Sequence, residues 1–444
     1  VDFTPHTEQD DAEMLAVIGL GSIEDLFEPI PEAVRLNRGL EVPESLSEPD
    51  LMRHMSGLAS ASTGAELTCF AGGGAYDHHV PAAVRALGSR AEFATSYTPY
   101  QPELSQGVLQ ALFEFQTLVC EIYGMDVANA SLYDGANSVV EAVNLAVRTT
   151  KREKVFVAAS LHPHYREVLK TYTSGLGLDI QTVPFRADGT VAALDLEGAA
   201  AIVLGYPNFF GVLEDVSAAA EVAHAAGALC IVSADPTAMG ILRAPGEMGA
   251  DVVVGEGQSL GNPLVYGGPY VGLFATKLEH VRQVPGRIAG ETLDADGRRA
   301  FVLTLQAREQ HIRRAKATSN VCTNQTLMAI FAAIHLSWLG PQGLARLGEV
   351  CTRRAAFAAR RLSELPGCSV AFDSPHCKEF VLRTPVPGGE LTKALSRRGF
   401  LVGPSLGRWY PELDDCLLVA VTEKRSESDI ENLAVAIEKE LAER

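Results

Sequence analysis

The 444 residues carry a formal net charge of −18, with 47% hydrophobic and 21% charged residues. That is ordinary globular composition, in a chain long enough for two or three folding units. An acidic chain repels nucleic acid and anionic lipid, and no basic block with interleaved aromatics offsets this, so neither nucleic acid nor membrane is an expected partner.

The eight cysteines include no C-x-x-C pair, which argues against zinc or a redox dithiol and for a reducing compartment. The opening string VDFTPHTEQDDAEML lacks the basic-then-apolar pattern of a signal peptide. The most apolar helical stretch, residues 327–340, is too short for a membrane span and reads as a buried core helix. The expected location is the cytoplasm.

In chain order, residues 1–65 read as an arm of short helices and loops. Thr7 and Asp10 resemble a capping box, and Pro29, Pro31, Pro43 and Pro49 divide the region. From residue 66 to 329 short apolar runs alternate with helical periodicity. The runs are residues 154–159, 179–185, 200–206, 228–234, 251–255 and 272–276, with helices at 164–172 and 217–227 between them. A further helix begins near Gly135. This alternation predicts a doubly wound, mostly parallel α/β sheet forming a large domain. A long helical stretch is expected over 298–364. Residues 330–444 read as a small C-terminal α+β domain, with strands near 368–373, 379–384 and 416–422, a helix over 389–399 and a last helix from Ser426.

The string DVVVGEGQSLGNPLVYGGP, residues 251–269, contains a G-x-S-x-G pattern around Ser259. A nucleophile elbow and a dinucleotide loop both require a helix immediately afterwards. Asn262-Pro263 and the YGGP cluster argue against one. Ligands of doubly wound sheets bind beyond the carboxyl ends of the strands. There the sequence places His162, Asp235 and the turn carrying Ser259. This trio resembles the pocket of fold-type I pyridoxal-phosphate enzymes, where a His stacks on the ring, an Asp holds its nitrogen and a Lys anchors the cofactor covalently. The lysine is expected near Gln258 or Ser259 and is absent. Lys277 and Lys316 come next, and neither is suitably placed. The trio therefore reads as a vestigial pocket.

Longer strings carry a closer resemblance: FAGGGAYDHHVP, EFATSYTPYQPELSQGVLQALFEFQT, GMDVANASLYDGA, GEGQSLGNPLVYGGP, VPGRIAGET and GRRAFVLTLQAREQHIRRAKATSNVCTNQ, together with DFTPHTEQD at the start. The chain resembles the P-protein family of the glycine cleavage system, in the subunit 1 branch of its two-subunit form. The resemblance implies a fold-type I transferase-like fold with an N-terminal helical arm. It implies glycine decarboxylation using pyridoxal phosphate carried by a partner, subunit 2, in an α2β2 assembly. The aminomethyl group then passes to the lipoyl arm of the H-protein. This chain, lacking the lysine, would complete the site across the interface and be active only in the complex. A scaffold that stabilises subunit 2 without catalytic contact is the alternative.

Within that reading, the Pro-stiffened string SYTPYQPELSQG offers Tyr97, Tyr100, Gln101 and Glu103 as residues reaching the partner's site. Thr318, Ser319 and Asn320 follow an expected basic helix over 306–314; they read first as an N-cap of the helix starting near 327, a role compatible with offering donors to the partner's cofactor phosphate. Gly72, Gly73 and Gly74 permit close backbone approach. Asp77, His78 and His79 offer too few ligands for a metal.

Overall fold

The computed structural model describes residues 5–443 except Asn37, Leu194 and Tyr266; the first residues of DFTPHTEQD, 2–4, lie outside the described set. The chain forms two units, Val1–Thr63 and Gly64–Arg444. In the first, the capping box is present: Asp10 N donates to Thr7 Oγ1 (3.3 Å) and Thr7 N to Asp10 Oδ2 (2.7 Å), starting the helix Glu8–Ile18. Neither this helix nor Glu48–Ala61 contains a buried residue.

The second unit is built on a seven-stranded sheet. Its spatial order is Val127–Ala128, Gly272–Thr276, Val252–Glu256, Leu229–Ala234, Ala199–Tyr206, Lys154–Ala158 and Asp179–Val183. The last five run parallel, and Gly272–Thr276 is antiparallel to both its neighbours. Helices cover both faces, so a central strand must be apolar on both sides. All eight residues of Ala199–Tyr206 are buried, which is why it reads as one continuous apolar run. Fixed register follows from that burial: Val203 faces Ile231 and Val232 faces Val253, all fully buried. The crossover helices Gly135–Thr150, Pro163–Thr173 and Val216–Ala225 start at Asp134, His162 and Asp215, whose side chains accept helix N–H bonds.

The expected helix over 298–364 is corrected at its first half. Arg299–Thr304 is a strand paired antiparallel with Ile288–Leu293. Asp294 Oδ1 accepts from Asp296 N (2.9 Å) and Arg298 N (2.8 Å), and Gly297 takes φ +76°, so the chain reverses here. The expected basic helix over 306–314 is only short turns, Gln306–Arg308, Gln310–Arg313 and Arg314–Lys316. The long helix is Thr326–Ser363, broken at Gly340 (φ 60°, ψ 179°) before Pro341. By length and hydropathy it is able to cross a membrane, but Ala329, Ile330, Phe331, Ala332 and Leu336 are buried in the core beside the helix Gln106–Tyr123.

Towards the C-terminus, Ser369–Val370, Glu379–Arg383 and Cys416–Ala420 form an antiparallel sheet, flanked by the helices Gly388–Arg397 and Glu427–Ala442. The strand Thr68–Ala71 pairs in parallel with Phe400–Gly403, so residues just after the first unit return to this C-terminal segment.

Candidate functional site

His162 follows the strand Lys154–Ala158 and Asp235 follows Leu229–Ala234, with Ala199–Tyr206 between those strands. Both line one cavity of about 70 Å³ at the carboxyl ends, together with Gly73, Tyr165, Glu256 and Lys378. Ser259 is buried and does not line it; its hydroxyl has no partner among the described residues. Residues 257–261 form turns, with no helix following.

Each position that would grip a pyridoxal ring is already engaged. His162 Nε2–H donates to the Gly73 carbonyl (2.6 Å) and Nδ1 accepts from His164 N (3.1 Å). Burial pushes its pKa down to about 4, so the imidazole is neutral near pH 7. Its flat face carries the Tyr165 ring, centroids 4.5 Å apart and 17° from parallel. Asp235 holds not a ring nitrogen but the Lys378 ammonium, at 2.7 Å. Burial opposes charge on Asp235, and Lys378 with Thr237 overcomes it, holding the carboxyl below its ordinary range. The N-terminus of the helix Gly135–Thr150, a natural phosphate seat, receives the Glu256 carboxyl: Gly135 N donates to Oε2 (3.0 Å), and Gln258 N (2.9 Å) and Val271 N (3.2 Å) donate to Oε1. Burial, only partly offset by these donors, pushes Glu256 up to about 8.

Where the anchoring lysine is expected, Gln258 is fixed by the Tyr76 backbone, accepting from its N–H (2.8 Å) and donating to its carbonyl (3.1 Å). Tyr76 in turn donates its hydroxyl to Glu379 (2.7 Å), and Gly73 N donates to the same carboxyl (2.6 Å). Gly72 has to be glycine, since a Cβ there would lie 2.1 Å from Glu379 Oε1. The cavity of about 70 Å³ is small beside the roughly 300 Å³ or more of typical ligand pockets. The residues of this chain's own pocket do not fit pyridoxal phosphate.

Neither lysine weighed from the sequence reaches the cavity. Lys277 pairs with Asp251, at the opposite, amino end of the strand Val252–Glu256. Lys316 is exposed in a short turn. The lysine that does reach it is Lys378. Sequence reading missed it because it lies at the start of a strand far along the chain; the signal was the Lys378-Glu379 pair inside an otherwise apolar run.

Among the loop residues, Asp77 pairs with Lys424 (2.6 Å) and Arg425 (3.1 Å). His78 Nδ1 lies 2.6 Å from Glu423, close to Cys351, with the Lys378 ammonium 3.3 Å from Nε2. That buried cation opposes a metal ion at the His78–Cys351–Glu423 group.

A second constellation faces outward. Tyr97 and Tyr100 are 83% and 49% exposed, and Gln101 and Glu103 are exposed beside them. Gln106 pins this segment by donating to the carbonyls of Pro102 (2.7 Å) and Phe301 (2.8 Å). Tyr100 meets Arg287, whose guanidinium lies 4.9 Å from the ring centroid and donates to the hydroxyl (3.0 Å). Arg287 also donates to the Cys322 carbonyl (2.8 Å) and to Asn324 Oδ1 (3.3 Å). Two segments singled out from sequence, 97–103 and 316–325, are thus joined through one arginine that was not.

Thr318, Ser319 and Asn320 do not cap the following helix, correcting one expectation: its N-cap is Gln325, without a side-chain bond. Instead Thr318 N donates to the Arg308 carbonyl (3.3 Å), Ser319 Oγ accepts from Val321 N (3.0 Å), and Asn320 is exposed.

The sheet, its carboxyl-end pocket and the His–Asp pair define a fold-type I pyridoxal-enzyme fold. A sphingosine-1-phosphate lyase of Burkholderia pseudomallei shares that fold at 14% identity, with a TM-score of 0.66 over 93% of this chain and 95% of that one. Closer likeness is specific. A crystal structure of glycine decarboxylase (P-protein) of the glycine cleavage system, in inhibitor-bound form, matches with a TM-score of 0.91 at 44% identity, over 99% of this chain and 100% of that chain. A probable glycine dehydrogenase (decarboxylating) subunit 1 of Desulforamulus reducens is 50% identical over 441 residues, covering 98% of this chain and 99% of the relative. The corresponding protein of Moorella thermoacetica is 47% identical, covering 98% of each. The family profile for the glycine cleavage system P-protein matches residues 2–437, and the chain belongs to that family.

Proposed function

We propose that this chain is subunit 1 of a glycine-decarboxylating enzyme, working in the cytoplasm and active only with subunit 2, which carries the pyridoxal phosphate. The observation that carries the reading is the engaged pocket: Tyr165 stacks on His162, Lys378 pairs with Asp235, Glu256 takes the N-terminus of the helix Gly135–Thr150, and Gln258, not a lysine, is tied to Tyr76. The names of the relatives, subunit 1 of glycine dehydrogenase (decarboxylating), support the activity and the existence of a partner. On the partner, the cofactor supplies an electron sink for the carbanion left when glycine loses carbon dioxide. The aminomethyl group goes to the lipoyl arm of the H-protein, and the assembly contains two copies of each subunit.

This chain's contribution is positional. Tyr97, Tyr100, Gln101 and Glu103 stand on a segment stiffened by Pro99 and Pro102 and reach the partner's site, where they orient ligand and exclude water. Thr318, Ser319 and Asn320 face the partner's cofactor. Exposed tyrosines on a pinned segment suit an interface, since Tyr combines an apolar ring with a polar tip. The test is reconstitution with subunit 2, following exchange of labelled carbon dioxide into glycine. Exchange is expected only with both chains, and substitutions at Tyr97, Tyr100 and Gln101 are expected to lower it in an intact complex. Full exchange by every such variant would instead make this chain a scaffold.

A further inference from the structure

Arg287 is among the largest fully buried side chains, 2% exposed. Its partners are all neutral: the Tyr100 hydroxyl, the Cys322 carbonyl and the Asn324 amide oxygen. Nε has no partner, and no carboxylate pairs with the guanidinium among the described residues. Arg308, also buried, differs in having the Glu309 charge beside it. A buried charge without a counter-ion is strongly unfavourable, comparable to a broken buried ion pair.

The surroundings are built rather than accidental. Asn324 is held by donating to the Ala130 carbonyl (2.8 Å) and to Ser131 Oγ (3.0 Å), and accepts from the Thr326 hydroxyl (3.0 Å). Ser131 is fully buried at φ 116°, a conformation that a non-glycine residue keeps only under constraint. Because Arg287 donates to the Tyr100 oxygen, the phenol's own hydrogen points elsewhere. Tyr100 is half exposed, so a partner's surface can reach it.

We propose that Arg287 is a positioning residue: it fixes Tyr100 so that the phenol O–H donates to an anionic group in the partner subunit's site, and that anion balances the buried charge of Arg287. The inference rests on the reading above, that this face completes the partner's site. The anion is a carboxylate or a phosphate, from the substrate or the cofactor respectively.

The test uses the complex with subunit 2, carrying R287M, R287K, Y100F and R287M/Y100F. Sedimentation verifies assembly. Two quantities are read: the affinity of the apo-complex for pyridoxal phosphate, by absorbance titration, and the glycine KM separately from kcat. A lost hydrogen bond to a charged group corresponds to on the order of a tenfold change. R287M and Y100F are each expected to raise one of these constants about tenfold. The double variant should be no worse than Y100F, and R287K, which keeps charge but not the fork, should lie between. A shift in glycine KM identifies the anion as substrate carboxylate, and a shift in cofactor affinity identifies it as phosphate. Should R287M fail to assemble, R287K carries the same comparison. Unchanged constants in R287M and R287K beside a shifted Y100F, or additive losses in the double variant, overturn the proposal. Unchanged constants in Y100F, with the complex intact, overturn the underlying reading of the face itself.

Discussion

Lys378 Nζ lies 2.7 Å from Asp235 Oδ2 and 3.5 Å from the centroid of the Tyr76 ring. Asp235 directly follows a central strand of the large sheet, Leu229–Ala234, and Lys378 directly precedes the strand Glu379–Arg383 of the C-terminal sheet. One buried pair therefore ties the two sheets together through the space a ring nitrogen would need. Replacing Lys378 by Met leaves Asp235 buried without its counter-ion, held only by the Thr237 N–H (2.9 Å) and hydroxyl (2.8 Å). The expected loss is about 3–5 kcal/mol, the cost of breaking one half of a buried pair. Chemical denaturation checks this, with D235N/K378M recovering part of the loss. A loss below about 1 kcal/mol, the scale of an exposed pair, would contradict the account.

Two buried carboxyls give stability a pH dependence. Burial pushes Glu256 up to about 8 and Glu379 up to about 7, against an ordinary value of 4.5. The folded state therefore binds these protons more tightly than the unfolded state. Their stabilising contribution is complete below pH 4.5 and is lost as pH rises through 7 and then 8. The buried neutral imidazoles of His162 and His335, pushed by burial from 6.5 down to about 4, act in the opposite sense up to about pH 6.5, so the melting temperature should fall chiefly from about pH 6.5 to about pH 8.5. E256Q and E379Q should each flatten that slope. An E256Q profile parallel to that of the parent would show that the carboxyl titrates elsewhere.

Gly135 leaves room for Tyr165, since a Cβ there would lie 2.4 Å from the tyrosine oxygen. Gly135→Ala should overpack this contact and cost about 1–3 kcal/mol. Adding Tyr165→Phe removes the nearest atom and should restore part of it. Thermal melts of the three variants read this directly, and equal melting of G135A and the parent would mean that the ring stands away from the helix.

Tyr97 and Gln101 are exposed, so truncating them should leave stability within about 0.5 kcal/mol. In the complex, Tyr97→Ala and Gln101→Ala are expected to lower kcat/KM about tenfold, the loss of one oriented polar contact. Steady-state decarboxylation checks this beside circular dichroism of the free chain. Lost secondary structure in either variant would assign these residues to folding instead.

The central strand runs were legible because burial on both faces leaves only apolar residues, as in Ala199–Tyr206, whereas the edge strand Asp179–Val183 is largely exposed and mixed in composition. The capping box at Thr7 was legible because it is written in adjacent residues. The hairpin at Arg299–Thr304 was not: with Asp294 and Gly297 unrecognised as a turn, its mixed residues merged with the helical pattern after it. His162 and Asp235 were found by the rule that sites lie at strand ends. Lys378 and Arg287 were missed because their meaning arises in three dimensions, from Asp235 and Tyr100 that fold against them. Ser259 was placed near the pocket by spacing alone, and the turn buries it outside the cavity lining.

The most direct measurement is the visible spectrum of this chain, purified alone and mixed with pyridoxal phosphate, followed by borohydride reduction and peptide mapping. The account predicts no cofactor band and no pyridoxyl-lysine on this chain, with a stoichiometric adduct appearing only on subunit 2 in the complex. A stoichiometric adduct at Lys378, Lys277 or Lys316 of the isolated chain would show that its own pocket opens to the cofactor, and would contradict the account.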